Sequence, residues 1–302
     1  MVKGSQVVLP VHRELHNKAV RAFKKADSYH LIRPKYTPEA TEYLLQLTGI
    51  LTSDHKVASN KPLTILEIGC GTGLLTDTLT KVLKGADNVK IMAADPLESM
   101  REVFQKKLQG VHEQQLQPKA RVPCLRRRET AFFGDLTDKS FPDESIDLIV
   151  AGASYHWFAN QEAYREIARV LVPHGKIGYI TNLPNEFSGP VWCQELWKLL
   201  WEAYKHSNVS SERADLWRNE MKKSGLFTDV VDDYTKTNFE ECDMETCINS
   251  FTSYSMVQAG SDEVRRNFEE GFRQVMHEHF TAKGIEFTGI PYQVDIHYCQ
   301  KK

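Results

Sequence analysis

A chain of 302 residues with 41% hydrophobic content is long enough for one large α/β domain with insertions, or for two small domains. Its 38 basic and 40 acidic side chains leave a net charge of -2, which argues against a nucleic-acid specialist, and no apolar run approaches the ~20 residues that cross a bilayer. Cysteines at 70, 124, 193, 242, 247 and 299 form no Cys-x-x-Cys pair, and Met1 to Gln6 lacks a long apolar core, so a reducing, cytoplasmic setting is expected.

In chain order, the polar stretch Thr52 to Lys61 reads as a surface loop. Leu63, Ile65, Leu66 and Ile68 then form a buried-type strand over 63–68, which runs into glycines at every second position, Gly69, Gly71 and Gly73. Leu74, Leu75, Leu79, Val82 and Leu83 follow at helical spacing, so the three glycines sit on a strand-to-helix turn. Such a turn brings bare backbone, and the unpaired N–H groups of a helix start, up to a nucleotide-like ligand. The dinucleotide fingerprint needs GxGxxG, and Leu74 stands where its third glycine would fall. Glu67, just before the turn, would repel a pyrophosphate but suits a ligand that carries an amino group.

Further strands are expected at 89–94, 129–134, 146–152, 175–181, 228–237 and 291–299, with helices between them. This alternation implies a doubly wound, mostly parallel seven-stranded sheet with helices on both faces. The second strand ends in Asp95, placed to take two ribose hydroxyls or to cap the helix that starts near Pro96. The third ends in Phe133-Gly134-Asp135-Leu136, where an acid can read an adenine amino group. The fourth opens at Asp147 and leads to Tyr155-His156-Trp157-Phe158. Glu67, Asp95, Asp135 and His156 thus fall at the carboxyl edge of the sheet, where open α/β folds bind ligands. The stretches Pro184 to Ser224 and Met244 to Ala282 read as helical insertions that form a lid over one end of the sheet. The run Trp192, Leu196, Trp197, Leu200, Trp201 and Tyr204 is either a core stripe or a pocket wall. No histidines show metal-ligand spacing, and Arg126 to Arg128 read as a solvated loop.

With these motifs in place, the chain resembles the class I S-adenosylmethionine-dependent methyltransferases, in particular the small-molecule branch related to trans-aconitate methyltransferases. Leu66 to Gly73 resembles that family's cofactor loop, Asp95-Pro96 to Met100 its ribose and adenine segment, and Asp135-Leu136 its adenine-reading pair. Phe141 to Ile149 followed by His156-Trp157 resembles the fourth-strand signature, and Arg169 to Lys176 the approach to the fifth strand, with His174 where glycine is more usual. Tyr29, Arg33, Pro34, Tyr36 and Pro38 resemble the Y...RP.YP stretch that precedes the core. The resemblance implies a Rossmann-like fold in three parts: 1–60, an N-terminal helical segment over the cofactor site; 61–183, the cofactor-binding core; and 184–302, helical insertions with the last two strands.

It also implies S-adenosyl-L-methionine as cofactor, held by Tyr29, Arg33, Glu67, Gly69, Gly71, Gly73, Asp95, Met100, Asp135 and Leu136. Tyr36, Tyr155 and Trp157 would shape a substrate pocket, and His156 would be a general base or a wall residue. The expected activity is methyl transfer to a small-molecule oxygen, a carboxylate or a hydroxyl, by a monomer or homodimer with no nucleic-acid or membrane partner. Transfer to nitrogen, of a small molecule or a macromolecule, is the nearest alternative. A catalytically silent cofactor-binding regulator and an NAD-dependent dehydrogenase are the others.

Overall fold

Thr37 accepts a hydrogen bond from Ala40 N at 3.2 Å and, with Pro38 in the first turn, starts α1 (Pro38–Leu47), whose Ala40, Leu44 and Leu45 turn inward. The structure is a computed structural model that describes residues 30–112, 141–185, 189–206, 213–258 and 260–302. After α1 the chain alternates β1 (Leu63–Ile68), α2 (Leu74–Val82), β2 (Val89–Ala94), α3 (Glu98–His112), β3 (Ile146–Gly152), α4 (Gln161–Val170) and β4 (Leu171–Pro184). It continues through α5 (Val191–Lys205), α6 (Arg213–Ser224), β5 (Val231–Glu241), α7 (Met244–Thr252), α8 (Ser255–Gln258), α9 (Asp262–His279) and β6 (Gly289–Gln300).

These six strands form one sheet in the order β2-β1-β3-β4-β6-β5. The first four are parallel, and β6 runs antiparallel to both β4 and β5. This is the doubly wound, mostly parallel α/β fold expected from the alternation; the expected strand 129–134 lies outside the described residues. The bounds of β1, β2 and β3 coincide with those read from the sequence. β4 begins earlier than expected, and its start is irregular, with a register shift between Ile146 and Leu148 of β3 and His174 at φ 63. That left-handed backbone accounts for the glycine preference at this position in the family pattern.

One face of the sheet, with Ile65, Leu148, Val150, Ile180, Val294 and Ile296, packs against α1 and α2. The other, with Leu66, Ile68, Ile149, Ala151, Tyr179 and Cys299, packs against α4 and α6 through Tyr164, Ile167, Trp217 and Met221. A third core joins α5, α7 and α9 to Ile290 and Tyr292 at the start of β6. Because β6 runs antiparallel, its start lies beyond the carboxyl ends of the parallel strands, so this helical cap stands over that edge. The expected lid is therefore divided: α6 covers a face of the sheet, and only α5 and α7 to α9 form the cap. Trp192, Leu196 and Leu200 of the aromatic run are core residues of the cap and Trp197 packs against them, while Trp201 is 46% exposed and stacks on the buried Tyr204.

Candidate active site

The first crossover carries the chain from β1 out to β2, and β3 returns on the other side of β1, so the switch point of the topology lies between β1 and β3. Two loops meet there. Gly69 N and Cys70 N both donate to Ala94 O, at 2.7 and 3.1 Å, which folds the glycine turn over the end of β2. From the β3 side, Ser154 Oγ donates to Ile68 O at 2.8 Å. A Cβ on Gly69 would lie 2.7 Å from Ser154, and Gly69 has φ 66, so only glycine fits this crossing. Ala153, beside it, also has positive φ, 49°, a conformation that costs energy for a residue with a side chain.

Gly71 differs from Gly69. Its φ is 55°, yet among the described residues nothing lies within 4 Å of where its Cβ would stand, so on that side the backbone borders open space. Gly73 is the N-cap of α2 and supplies no side-chain cap, which leaves the first N–H groups of the helix for a ligand. Glu67 is 1% exposed and accepts a hydrogen bond from Thr76 Oγ1 of α2, which ties the strand before the turn to the helix after it.

Asp95 ties the end of β2 to both neighbouring turns. Oδ1 accepts from Leu97 N at 2.8 Å in the turn that leads into α3, and Oδ2 accepts from Gly71 N at 2.8 Å, which holds the glycine turn. Burial pushes its carboxyl up to about 6, against the two N–H bonds and Arg101, whose guanidinium is itself held by Asp95 O and Pro96 O. Met100, in the first turn of α3, is 3% exposed.

The segment before α1 spans the site. His30 Nδ1 is 2.9 Å from Thr72 Oγ1 in the glycine turn, and Arg33 reaches the cap, where Nη2 donates to Ser253 O at 3.1 Å. Tyr36 lies against the end of β3: a Cβ on Gly152 would stand 2.7 Å from its hydroxyl. Tyr155 and His156 occupy a 3-10 turn after β3, with Tyr155 turned inward onto Tyr179 and Trp217 and His156 exposed. Tyr36 and Tyr155 thus flank the end of β3 from opposite faces of the sheet. Of Trp157 only the backbone is described, and Tyr29, Asp135 and Leu136 lie outside the described residues.

The reading from sequence missed Asp295 and His297, which stand on β6 beside Tyr155 with Asp232 and Arg218. Their one sequence signal is the alternation of charged or titratable residues with the apolar Val294 and Ile296. Among the described residues, no group of three or more His, Cys, Asp or Glu side chains is arranged to hold a metal ion, and no helix is long and apolar enough to cross a membrane.

A glycine turn at the switch point, an open space beside Gly71 and an acid at the end of β2 define a nucleoside-binding Rossmann-like protein of the methyltransferase type. The residues fit S-adenosylmethionine. Open backbone and free helix N–H groups suit its amino-acid part, and Asp95 suits its ribose. Comparison with known proteins agrees: residues 66–178 match the family model of a methyltransferase domain. An uncharacterized methyltransferase of Schizosaccharomyces pombe is 32% identical over 230 residues, 74% of this chain and 76% of the relative. A malonyl-[acyl-carrier protein] O-methyltransferase of Halalkalibacterium halodurans is 24% identical over 263 residues, 84% and 88% of the two chains. A solved structure from Anaeromyxobacter dehalogenans, assigned as a type II methyltransferase, shares the fold with TM-score 0.55 at 15% identity, covering 88% of this chain and 97% of that one. The chain belongs to the class I S-adenosylmethionine-dependent methyltransferases.

Proposed function

We propose that this enzyme binds S-adenosylmethionine in the glycine turn and transfers its methyl group to the oxygen of a small molecule in the cytoplasm. The observation that carries the reading is the cradle at the switch point, where Asp95 holds Gly71 in place beside open space. In this reading the N–H groups at Gly73 and the start of α2 take the methionine part and Asp95 takes the ribose hydroxyls. Met100 packs on the purine with Asp135 and Leu136 reading its edge. His30 and Thr72, with Tyr29 and Arg33, close the segment over the ligand.

The bound sulfonium supplies an activated methyl group, so the protein's main task is to hold an acceptor in line. Positioning of this kind can supply roughly 7 to 11 kcal/mol of a barrier, whereas a general base adds ~10²- to 10⁴-fold. Tyr36 and Tyr155, on either side of the end of β3, bound the acceptor space, and His156 forms its outer wall. An oxygen acceptor is supported by the O-methyltransferase relative.

Calorimetry tests the cofactor: S-adenosylhomocysteine should bind at micromolar concentration and NAD should not, and the reverse pattern would end this reading. Incubation with methyl-labelled S-adenosylmethionine and a metabolite extract, followed by mass spectrometry, tests the acceptor. Label found only in macromolecules would exclude a small molecule.

A further inference from the structure

On the face where α4 and α6 pack, β6 carries Gln293, Asp295 and His297, and the Gln293 amide donates to Tyr234 O and Lys236 O. Val294 and Ile296 belong to the core on the α1 side, so Asp295 and His297 point the other way, toward Tyr179 and Trp217. Asp295 is opposite Thr181, one rung beyond the pairing of Ile180 with Gly152 that ends β3. It therefore stands at the carboxyl edge of the sheet. The 3-10 turn comes over the same edge, and its Tyr155 ring is fixed against Tyr179 at 4.8 Å, Trp217 at 5.0 Å and His297 at 6.3 Å between centroids. Tyr155 follows Ser154, whose hydroxyl closes the contact with the glycine turn, so this corner adjoins the cofactor cradle.

Most of the charge in the corner is internally satisfied. Asp232 Oδ1 is 2.8 Å from Arg218 Nη2 and 2.8 Å from His297 Nδ1, and the Arg218 guanidinium lies 4.5 Å over the Trp217 ring. Two groups are left over. Among the described residues, neither the half-buried Asp295 carboxylate nor the half-buried Tyr155 hydroxyl has a hydrogen-bond partner. Polar groups drawn out of water without a partner cost free energy, and two of them side by side at a ligand-binding edge match a ligand that fills both.

We propose that Asp295 and Tyr155 form the acceptor subsite and that Asp295 is the base that takes the proton of an alcohol or phenol bound there. The inference rests on the methyl-transfer reading above, and it gives Asp295 the base role that the sequence left open at His156. The O–H bond breaks with its proton passing to a carboxylate oxygen of Asp295. The acceptor oxygen forms the new bond to the methyl carbon, the pair of the broken carbon–sulfur bond stays on sulfur, and Asp295 later releases the proton to water. A carboxylate acceptor would meet the charges of Asp295 and Asp232 with Arg218 already committed to Asp232. A protonated amine would pair with Asp295 but has no free electron pair to methylate.

The surroundings set the base strength. Burial and the neighbouring Asp232 push the Asp295 carboxyl up to about 6, against the pull of Arg218. The groups that face it are Asp232 and Tyr234 on β5, Arg218 on α6, Tyr155 on the turn and His297 on its own strand. Burial and Arg218 hold His297 below the usual imidazole range, burial raises both tyrosines, and Asp232 stays low through its bonds to Arg218 and His297. Within this corner Asp295 is thus the group that changes charge near pH 6, and at pH 7 it is an ionised base of useful strength.

Two measurements test this. Carbon-13 NMR of protein labelled at aspartate carboxyls and saturated with S-adenosylhomocysteine, with Asp295 assigned by its loss in Asp295→Asn, should show a midpoint near 6; a midpoint below about 4.5, as in an ordinary carboxylate, would overturn the proposal. With methyl-labelled S-adenosylmethionine and a metabolite extract, the product should be a methyl ether. With S-adenosylmethionine saturating at each pH, so that the cofactor-binding Asp95 does not limit the rate, Asp295→Asn should lower the rate ~10²-fold or more and remove the decline below about pH 6, without changing S-adenosylhomocysteine affinity. A rate kept in Asp295→Asn, or labelled methyl esters or methylamines as products, would also overturn it. The titration needs no acceptor, so a midpoint below about 4.5 would overturn the proposal even if the extract yields no labelled product. Failure of wild type to bind S-adenosylhomocysteine would instead remove the methyl-transfer reading and this inference with it.

Discussion

The guanidinium of Arg33 lies 4.5 Å over the ring of Tyr254 and donates to Ser253 O, so the segment that touches the glycine turn through His30 is anchored in the helical cap. A strap with one end on Thr72 and the other on the α7–α8 corner links cofactor site to cap. S-adenosylhomocysteine should therefore slow hydrogen exchange in residues 30–36 and in the α7–α8 corner together. Arg33→Ala removes a cation–π contact worth about 0.5 to 2 kcal/mol, and should leave protection of the corner insensitive to ligand. Exchange in both segments that is equally fast with and without ligand in wild type would refute the strap.

Asp95→Ala should weaken S-adenosylhomocysteine binding by about 10- to 100-fold, since hydrogen bonds to a charged group are worth roughly 1.5 to 3 kcal/mol. Asp95→Asn should recover part of the loss, because one amide oxygen can still accept from Gly71 or Leu97. Calorimetry on both variants checks the order, and an unchanged dissociation constant in the alanine variant would remove Asp95 from the site.

Gly69→Ala and Gly71→Ala should separate folding from binding. At Gly69 the new methyl would lie 2.7 Å from Ser154, and overpacking of this kind costs about 1 to 3 kcal/mol, visible in urea unfolding. At Gly71 it meets no atom of the described residues, so the positive φ is what is penalised, by roughly 1 to 2 kcal/mol, while the methyl occupies the space proposed for ligand. Gly71→Ala that binds S-adenosylhomocysteine with wild-type affinity would show that the ligand lies elsewhere.

These features were legible in the sequence because they are local. The glycine spacing, Glu67, Asp95 and the bounds of the first three described strands follow from residues within a few positions of one another. What was illegible depends on long-range pairing. Nothing near Asp295 shows that it will meet Thr181, or that Trp217 will bring α6 onto the sheet instead of into the cap. The early start of β4 was hidden for another reason: His174, an unfavourable residue for its own backbone angle, interrupts the apolar pattern.

Stability should carry the signature of Asp295. Its folded carboxyl sits near 6 and its unfolded one near ~3.9, so the native state holds the extra proton between those values and stability falls as pH rises from about 4 to 6. Asp295→Asn should thus unfold at higher urea concentration than wild type at pH 7.5, by about 1 to 2 kcal/mol for a partly exposed group, and no differently at pH 4. Equal gains at both pH values would count against burial of the charge as the cause.

His156, exposed on its turn, should matter to binding more than to chemistry. His156→Ala should raise KM for the acceptor while kcat stays within about threefold. A ~10²-fold fall in kcat, with loss of a pH limb near ~6.5, would assign the base role to His156.

β6 lies between β4 and β5 although it follows both in the chain. On the ribosome, the edge of β4 emerges long before residues 289–300 can cover it, and β5, which pairs only with β6 among the described strands, waits as well. The nascent chain thus displays an open apolar strand edge through the synthesis of the whole cap. Yield in a host cell should then depend on translation speed, temperature and chaperone supply more than on the melting point of the finished enzyme, because the vulnerable species is the incomplete sheet.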